Sequence, residues 1–299
     1  MATATRVTPT QDARRHASFV AFVAISSLVF YKALGAWVQL SLHDDSNSYV
    51  NLIPVISFFL LFFERRSIFT VTETRAGSGG GLALAGLILY WVASRGSLPE
   101  EGTWRFSLEI LAVILVWAGG FLFCYGFAAF RAGAFSLLFL LLMIPLPNVV
   151  LDRIIHALQE GSTDIAYLIF QAVGTPVSRH GFLLAVPGVT IEVAKECSSI
   201  RSSVALFITC LLAAHLYLRT GWKVLLLVLL SLPLSIIKNG IRISTLTLLS
   251  IYVDPGFLRG NLHHEGGFVF FILALLIISP VFLWLERSDK PRRPVSSAT

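Results

Sequence analysis

Three short stretches of this chain hold side chains whose types and spacing suit covalent chemistry at a carbonyl. The first is AKECSSIRSSVALF, residues 194–207. It places Cys197 at or just before a helix N-terminus, with Ser198 or Ser199 as the cap. Exposed backbone amides and the helix dipole favour a thiolate over a thiol at such a position. Arg201, four residues on, adds positive charge on the same face if the helix already includes Cys197. A thiol so placed is an activated nucleophile, and the plainer alternative is a structural cysteine.

The second stretch, SIIKNGIRISTLTLL, lies inside a long apolar run. An ionisable group at mid-membrane costs about 2.5–3.5 kcal/mol, so residues kept there are functional candidates. Lys238 and Asn239 precede Arg242 by four and three residues and share its helical face. Arg242 alone would be explained by snorkelling to the headgroups; Lys238 and Asn239 sit too deep for that. The third stretch is GNLHHEGGFVFF, residues 260–271. His263 or His264 can serve as a base, a metal ligand or an interfacial polar group, and Gly266 and Gly267 permit close backbone approach. Cys124 and Cys210 stand in FLFCYGF and LFITCLL and read as small buried hydrophobes. With no CxxC or Cys/His cluster, neither a zinc site nor a disulfide framework is expected, and no cofactor is predicted.

The elements that position these groups follow from composition. Of 299 residues, 56% are hydrophobic and 13% charged, where a soluble domain carries about 25% charged residues. Mean hydropathy is +0.77. Lipid can solvate that much apolar surface; a soluble core of this length cannot hide it. The net charge of +6 is scattered in ones and twos at the ends of apolar runs, as the positive-inside rule produces, and argues against nucleic-acid binding.

Apolar runs at 18–37, 48–63, 80–94, 107–130, 133–150, 199–218, 222–252 and 268–285 predict about eight transmembrane helices. The first follows Arg14 and Arg15 without a convincing cleavage site and reads as an uncleaved span. Lys and Arg are richer in the loops this count places inside, which puts both termini in the cytoplasm. The fold expected is an all-α polytopic membrane protein, one integral membrane domain over 1–299. Residues 1–17 and 287–299 form its cytoplasmic ends, and 151–196 an extracytoplasmic segment. There, Pro145 and Pro147 end the fifth span, and LDRIIHALQE reads as an amphipathic helix lying on the membrane. DIAYLIFQAV reads as a second, partly re-entrant helix. Apolar stretches around Pro187-Gly188 suggest a short β-hairpin before Cys197.

Cys197, Arg242 and His263 come from three separate spans, yet charge-derived topology puts all three on the extracytoplasmic side. Thiol, imidazole and guanidinium form the minimum set for acyl transfer: nucleophile, base and acid, and electrostatic stabiliser. ECSSIRSS, NGIR and LHHEGGF, in this order, resemble the cysteine, arginine and histidine motifs of the exosortase/archaeosortase family of membrane-embedded cysteine transpeptidases. The resemblance spans essentially the whole chain. It implies Cys197 as nucleophile with Arg242 and His263 as partners, and Arg201, Lys238, Asn239, Ser198 and His264 in support. Ser199 replaces an expected glycine, and His264 competes with His263 for the catalytic place. The resemblance implies cleavage of C-terminal sorting signals, built of a short motif, a transmembrane helix and a basic tail, with this chain in the bacterial inner membrane and its site at the extracytoplasmic face. The implied partners are such proteins, membrane lipids and a cell-surface acceptor. Two other functions fit parts of the pattern. One is a metal-dependent hydrolase or acyltransferase using His263, His264 and Glu265; the other is a transporter or assembly subunit binding an anion through Arg242 and Lys238.

Overall fold

The structure, a computed structural model, describes residues 9–43, 49–69, 76–95, 104–194, 200–258 and 267–289. Helices dominate it, and the chain divides into two compact units, Met1–Leu151 and Asp152–Thr299.

In the first unit, α1 (Pro9–Val29) and α2 (Tyr31–His43) divide a single apolar run. The two halves meet at 81°. Phe30 stands at the bend, buried, with its ring edge-on to Tyr90 at 4.6 Å. α3 (Leu52–Phe63) is followed by a single turn, α4 (Arg65–Ile68). α5 (Ala76–Arg95) packs on α6 (Trp104–Ala132) through small residues. A Cβ added at Gly79 would lie 2.3 Å from the Phe123 nitrogen, and one at Gly119 would lie 2.5 Å from the Ala83 nitrogen. The backbones can approach this closely only because those side chains are missing, a packing mode typical of apolar surroundings. Gly126 breaks α6 with φ at 82°, in the region other residues avoid. α7 (Ala134–Phe139) runs into a 3₁₀ turn and stops at Ile144, whose extended backbone is what a residue before proline prefers. The Ser107 hydroxyl and Trp37 indole donate to the Pro145 and Met143 carbonyls at 2.6 and 2.9 Å. These bonds satisfy acceptors that the broken helix leaves open.

The second unit holds most of α8 (Asn148–Ala172), then a three-stranded antiparallel sheet. Its strands, β1 (Ser178–His180), β2 (Leu183–Val186) and β3 (Val189–Glu192), lie in sequence order. Val186 faces Val189 across the turn. Pro187 followed by Gly188 at φ 85° suits a type II turn, which needs positive φ at its second central residue. α9 (Ile200–Tyr217), α10 (Gly221–Tyr252) and α11 (Gly267–Arg287) complete the unit. Leu206, Cys210, Leu227, Leu234, Ala274 and Ile278 form the core that these three helices share.

The described helices make this a multi-pass membrane protein, but the expected eight spans are not what they give. Four helices are long and apolar enough to cross a bilayer, or up to six if each bent pair is one span. An apolar run need not be one straight helix. α3 has 12 residues, or about 18 Å of rise, short of a hydrocarbon core of about 30 Å. The segments expected as two helices over 151–173 are one continuous helix, α8. Within the polar EGST stretch that reads as a break, Glu160 is exposed, but Ser162 and Thr163 are buried and Gly161 packs against Ile236.

Candidate functional site

α10 carries the polar face predicted around Arg242, and its burial shows which side chains face protein rather than lipid. Lys238 and Asn239 are each 1% exposed. A buried ammonium is several kcal/mol costly unless paired, and Lys238 donates to the hydroxyl of Ser202 in the first turns of α9. Asn239 Nδ2 donates to Ser162 Oγ on α8 at 3.0 Å. Two successive residues of α10 therefore hold two different helices. Arg242 lies one turn beyond Lys238 and is half-buried.

The crossing with α8 is close. A Cβ at Gly240 would sit 2.4 Å from Ile165 Cγ2 and 3.2 Å from the Ser162 carbonyl oxygen. One at Gly161 would sit 2.8 Å from Ile236 Cγ2. One turn after Gly240, Ser244 returns its hydroxyl to the Gly240 carbonyl at 2.9 Å, so the polar atom is satisfied inside the helix. Gln159, also on α8 and buried, donates to the Val193 carbonyl at 2.7 Å, and Val193 in turn donates to Phe182 at 3.0 Å. The strand leading toward Cys197 is thus anchored on α8 up to Val193, and the chain leaving that cysteine enters α9 at Ile200.

Of the residues expected to act, the structure brings Lys238, Asn239 and Arg242 onto one face and joins Lys238 to the α9 start. Arg201 is in the first turn of α9 and exposed. Cys197, Ser198, His263 and His264 lie outside the described residues. Among the described residues, no group of three or more His, Cys, Asp or Glu side chains could hold a metal ion. Sequence reasoning missed Ser202, Ser162, Gln159 and Gly240. The signal for Gly240 was present in NGIR, a glycine directly after a polar asparagine in an apolar helix. For the other three, the partner is far along the chain and no local pattern names it.

A family model described as transmembrane exosortase (Exosortase_EpsH) matches residues 37–279, the greater part of the chain. The chain belongs to that family. The match includes all three motif stretches and the α8–α10 crossing, so the exosortase core takes in every element just described except α1 and the ends of α2 and α11. Neither the curated proteins nor the solved structures contain a match to this chain.

Proposed function

We propose that this exosortase family member is a thiol peptidase and transpeptidase that cuts C-terminal sorting signals at the extracytoplasmic face of the bacterial inner membrane. One observation carries the reading beyond family membership: the Lys238–Ser202 bond ties the α10 face bearing Arg242 to the α9 turn five residues past Cys197. Two cations one turn apart on a helix repel each other. Their retention on a protein-facing surface suits a site that meets negative charge.

In this mechanism the Cys197 thiolate attacks the scissile carbonyl, and the C–O π pair moves onto oxygen. Arg242 stabilises that oxyanion, or orients an acidic side chain of the substrate. As the C–N bond breaks, His263 delivers its proton to the leaving amine and a thioester remains. An acceptor nucleophile or water, deprotonated by the now neutral His263, attacks the thioester and releases the thiolate. The substrate's helix and basic tail dock from the lipid phase, and the acceptor is a component of the cell surface.

The test is processing of a co-resident exported protein that ends in a helix and a basic tail. Cys197→Ala should leave it full length while the variant itself accumulates normally; full processing by Cys197→Ala would remove the nucleophile assignment. A membrane-impermeant maleimide added to spheroplasts should label wild type but not Cys197→Ala, since Cys210 is 3% exposed and Cys124 packs among Phe121, Tyr125 and their neighbours. Loss of activity to chelators with indifference to alkylation would favour the metal-dependent alternative instead.

A further inference from the structure

The small sheet of the second unit ends on β3, which pairs with β2 along one edge only. In an antiparallel ladder, opposed residues alternate between pairs that exchange both backbone hydrogen bonds and pairs that exchange none. The two-residue turn makes Val186–Val189 a bonded pair, and the Val193 bond to Phe182 fixes the same phase four residues on. Leu184–Ile191 is then bonded, whereas Ala185–Thr190 and Leu183–Glu192 are not. Thr190 and Glu192 therefore turn their N–H and C=O groups away from β2, and both residues are exposed. Among the described residues no other strand lies on that edge.

The base beneath this edge is firm. Leu184, Val186 and Val193 pack against Ala166 and Phe170 of α8 and Ile243 of α10. At the turn, an open cavity of about 510 Å³ lies between Pro187, Gly188 and Val189 and the C-terminal end of α10, with Ser250 and Ile251, and the following Pro255 and Gly256. Its walls are mainly apolar. From this end β3 runs to the anchored Val193, and Cys197 follows four residues later in the chain.

We infer that the β3 edge is the substrate's docking strand. The extended segment that precedes the substrate's transmembrane helix adds to Val189–Glu192 as a fourth strand, pairing with the outward groups of Thr190 and Glu192. Apolar side chains of that segment enter the open cavity at the turn. Strand addition is sequence-tolerant through the backbone, while the cavity favours apolar side chains; together they draw an extended peptide from the turn toward the nucleophile stretch. The inference rests on the proposed peptidase reading for the identity of the guest.

The experiment uses the full chain in membranes with Cys124, Cys197 and Cys210 replaced by Ala, so it does not depend on catalysis. Single cysteines are placed at Thr190, at Glu192 or, on the opposite edge, at Ser178. The probe is an exported protein with a C-terminal helix and basic tail that co-purifies with the tagged Cys197→Ala chain, carrying single cysteines at successive positions before its helix. Disulfides from Thr190→Cys and Glu192→Cys to alternate probe positions are expected, with little from Ser178→Cys. Equal yields at Ser178→Cys, disulfides between two copies of this chain, or none at all would overturn the docking strand. In the chain that retains Cys197, Thr190→Pro removes an outward N–H but no β2–β3 bond. It should slow processing about tenfold. Thr190→Val keeps the N–H and should stay within about twofold of wild type. Processing that persists in Cys197→Ala while the crosslinks form sinks the peptidase reading alone; crosslinks that fail while Cys197→Ala blocks processing sink the docking strand alone.

Discussion

Lys238 of α10 hands its buried ammonium to the hydroxyl of Ser202, thirty-six residues earlier at the start of α9. The two ends of this bond are not equivalent. Ser202→Ala leaves a charged donor without that acceptor, a loss of about 1–3 kcal/mol. Lys238→Met keeps the length of the side chain and removes the charge that needed a partner, so its stability should fall within about 1 kcal/mol of wild type or above it. The double variant should recover most of the Ser202→Ala loss. Thermal unfolding of the three proteins in one detergent decides it; a Lys238→Met loss larger than that of Ser202→Ala would refute the asymmetry.

The α8–α10 crossing makes a second, steric prediction. At Gly240 an added Cβ meets the branch carbon of Ile165 at 2.6 Å as well as its methyl at 2.4 Å, atoms close to the α8 backbone. At Gly161 the nearest atoms are the outer carbons of Ile236, at 2.8 and 3.1 Å, which can rotate away. Gly240→Ala should therefore cost about 1–3 kcal/mol, and Gly161→Ala clearly less. Because Gly240 lies two residues before Arg242, Gly240→Ala should also lower processing, measured as accumulation of the full-length substrate. Equal melting temperatures for the two variants would show that the crossing is looser than these distances require.

At the other end of α10, Asp289 receives the Thr220 hydroxyl at 2.5 Å and the Arg219 backbone N–H at 2.5 Å, with the Lys223 ammonium at 3.4 Å. The Thr220 hydroxyl above all, then the Arg219 N–H, hold the Asp289 carboxyl well below the usual carboxylate range, against a smaller opposing effect of burial; the Thr220 N–H and Lys223 add to the lowering. The folded chain then resists protonation where the unfolded chain, titrating at about 3.9, accepts it. Stability from Asp289 is complete above that value and declines as pH falls toward the folded one. Melting temperature should drop more steeply between pH 6 and pH 3 for wild type than for Asp289→Asn, which should start lower at neutral pH. Parallel curves would show that Asp289 contributes nothing through its charge.

How far the sequence announced all this depends on what each element packs against. The runs read at 199–218, 222–252 and 268–285 match α9, α10 and α11 within two residues, because each is a continuous apolar helix bounded by polar or glycine residues. The run at 18–37 contains no proline or glycine near Phe30, so nothing local signals the bend there. In α8 the small polar residues Gly161, Ser162 and Thr163 look like a helix boundary by composition. They are tolerated because α10 covers them and Asn239 bonds Ser162. The depth of Lys238 and Asn239 was legible from their place in an apolar run, but not their partners. A hydrogen bond between helices needs the tertiary arrangement, and periodicity carries none of it. Cys197 and His263 lie outside the described residues, so their place in the site still stands on motif and topology.

Arg242 offers the sharpest division between architecture and chemistry. It shares a face with Lys238 and Asn239, yet those two fix the helix by bonds to Ser202 and Ser162, so substitution at Arg242 should leave the α10 anchors standing. A guanidinium presents a planar fork to an oxyanion or carboxylate, and a lysine offers only a point charge. If Arg242 stabilises charge that develops in the transition state, Arg242→Gln should reduce the rate of substrate processing by about 10²–10³. Arg242→Lys should fall between that variant and wild type. Neither should lower the melting temperature as much as Ser202→Ala does. Rates are read by pulse-labelling the exported substrate and following loss of its C-terminal segment. A substitution to Gln that processes at the wild-type rate would leave Arg242 without a chemical role, whatever it does to the fold.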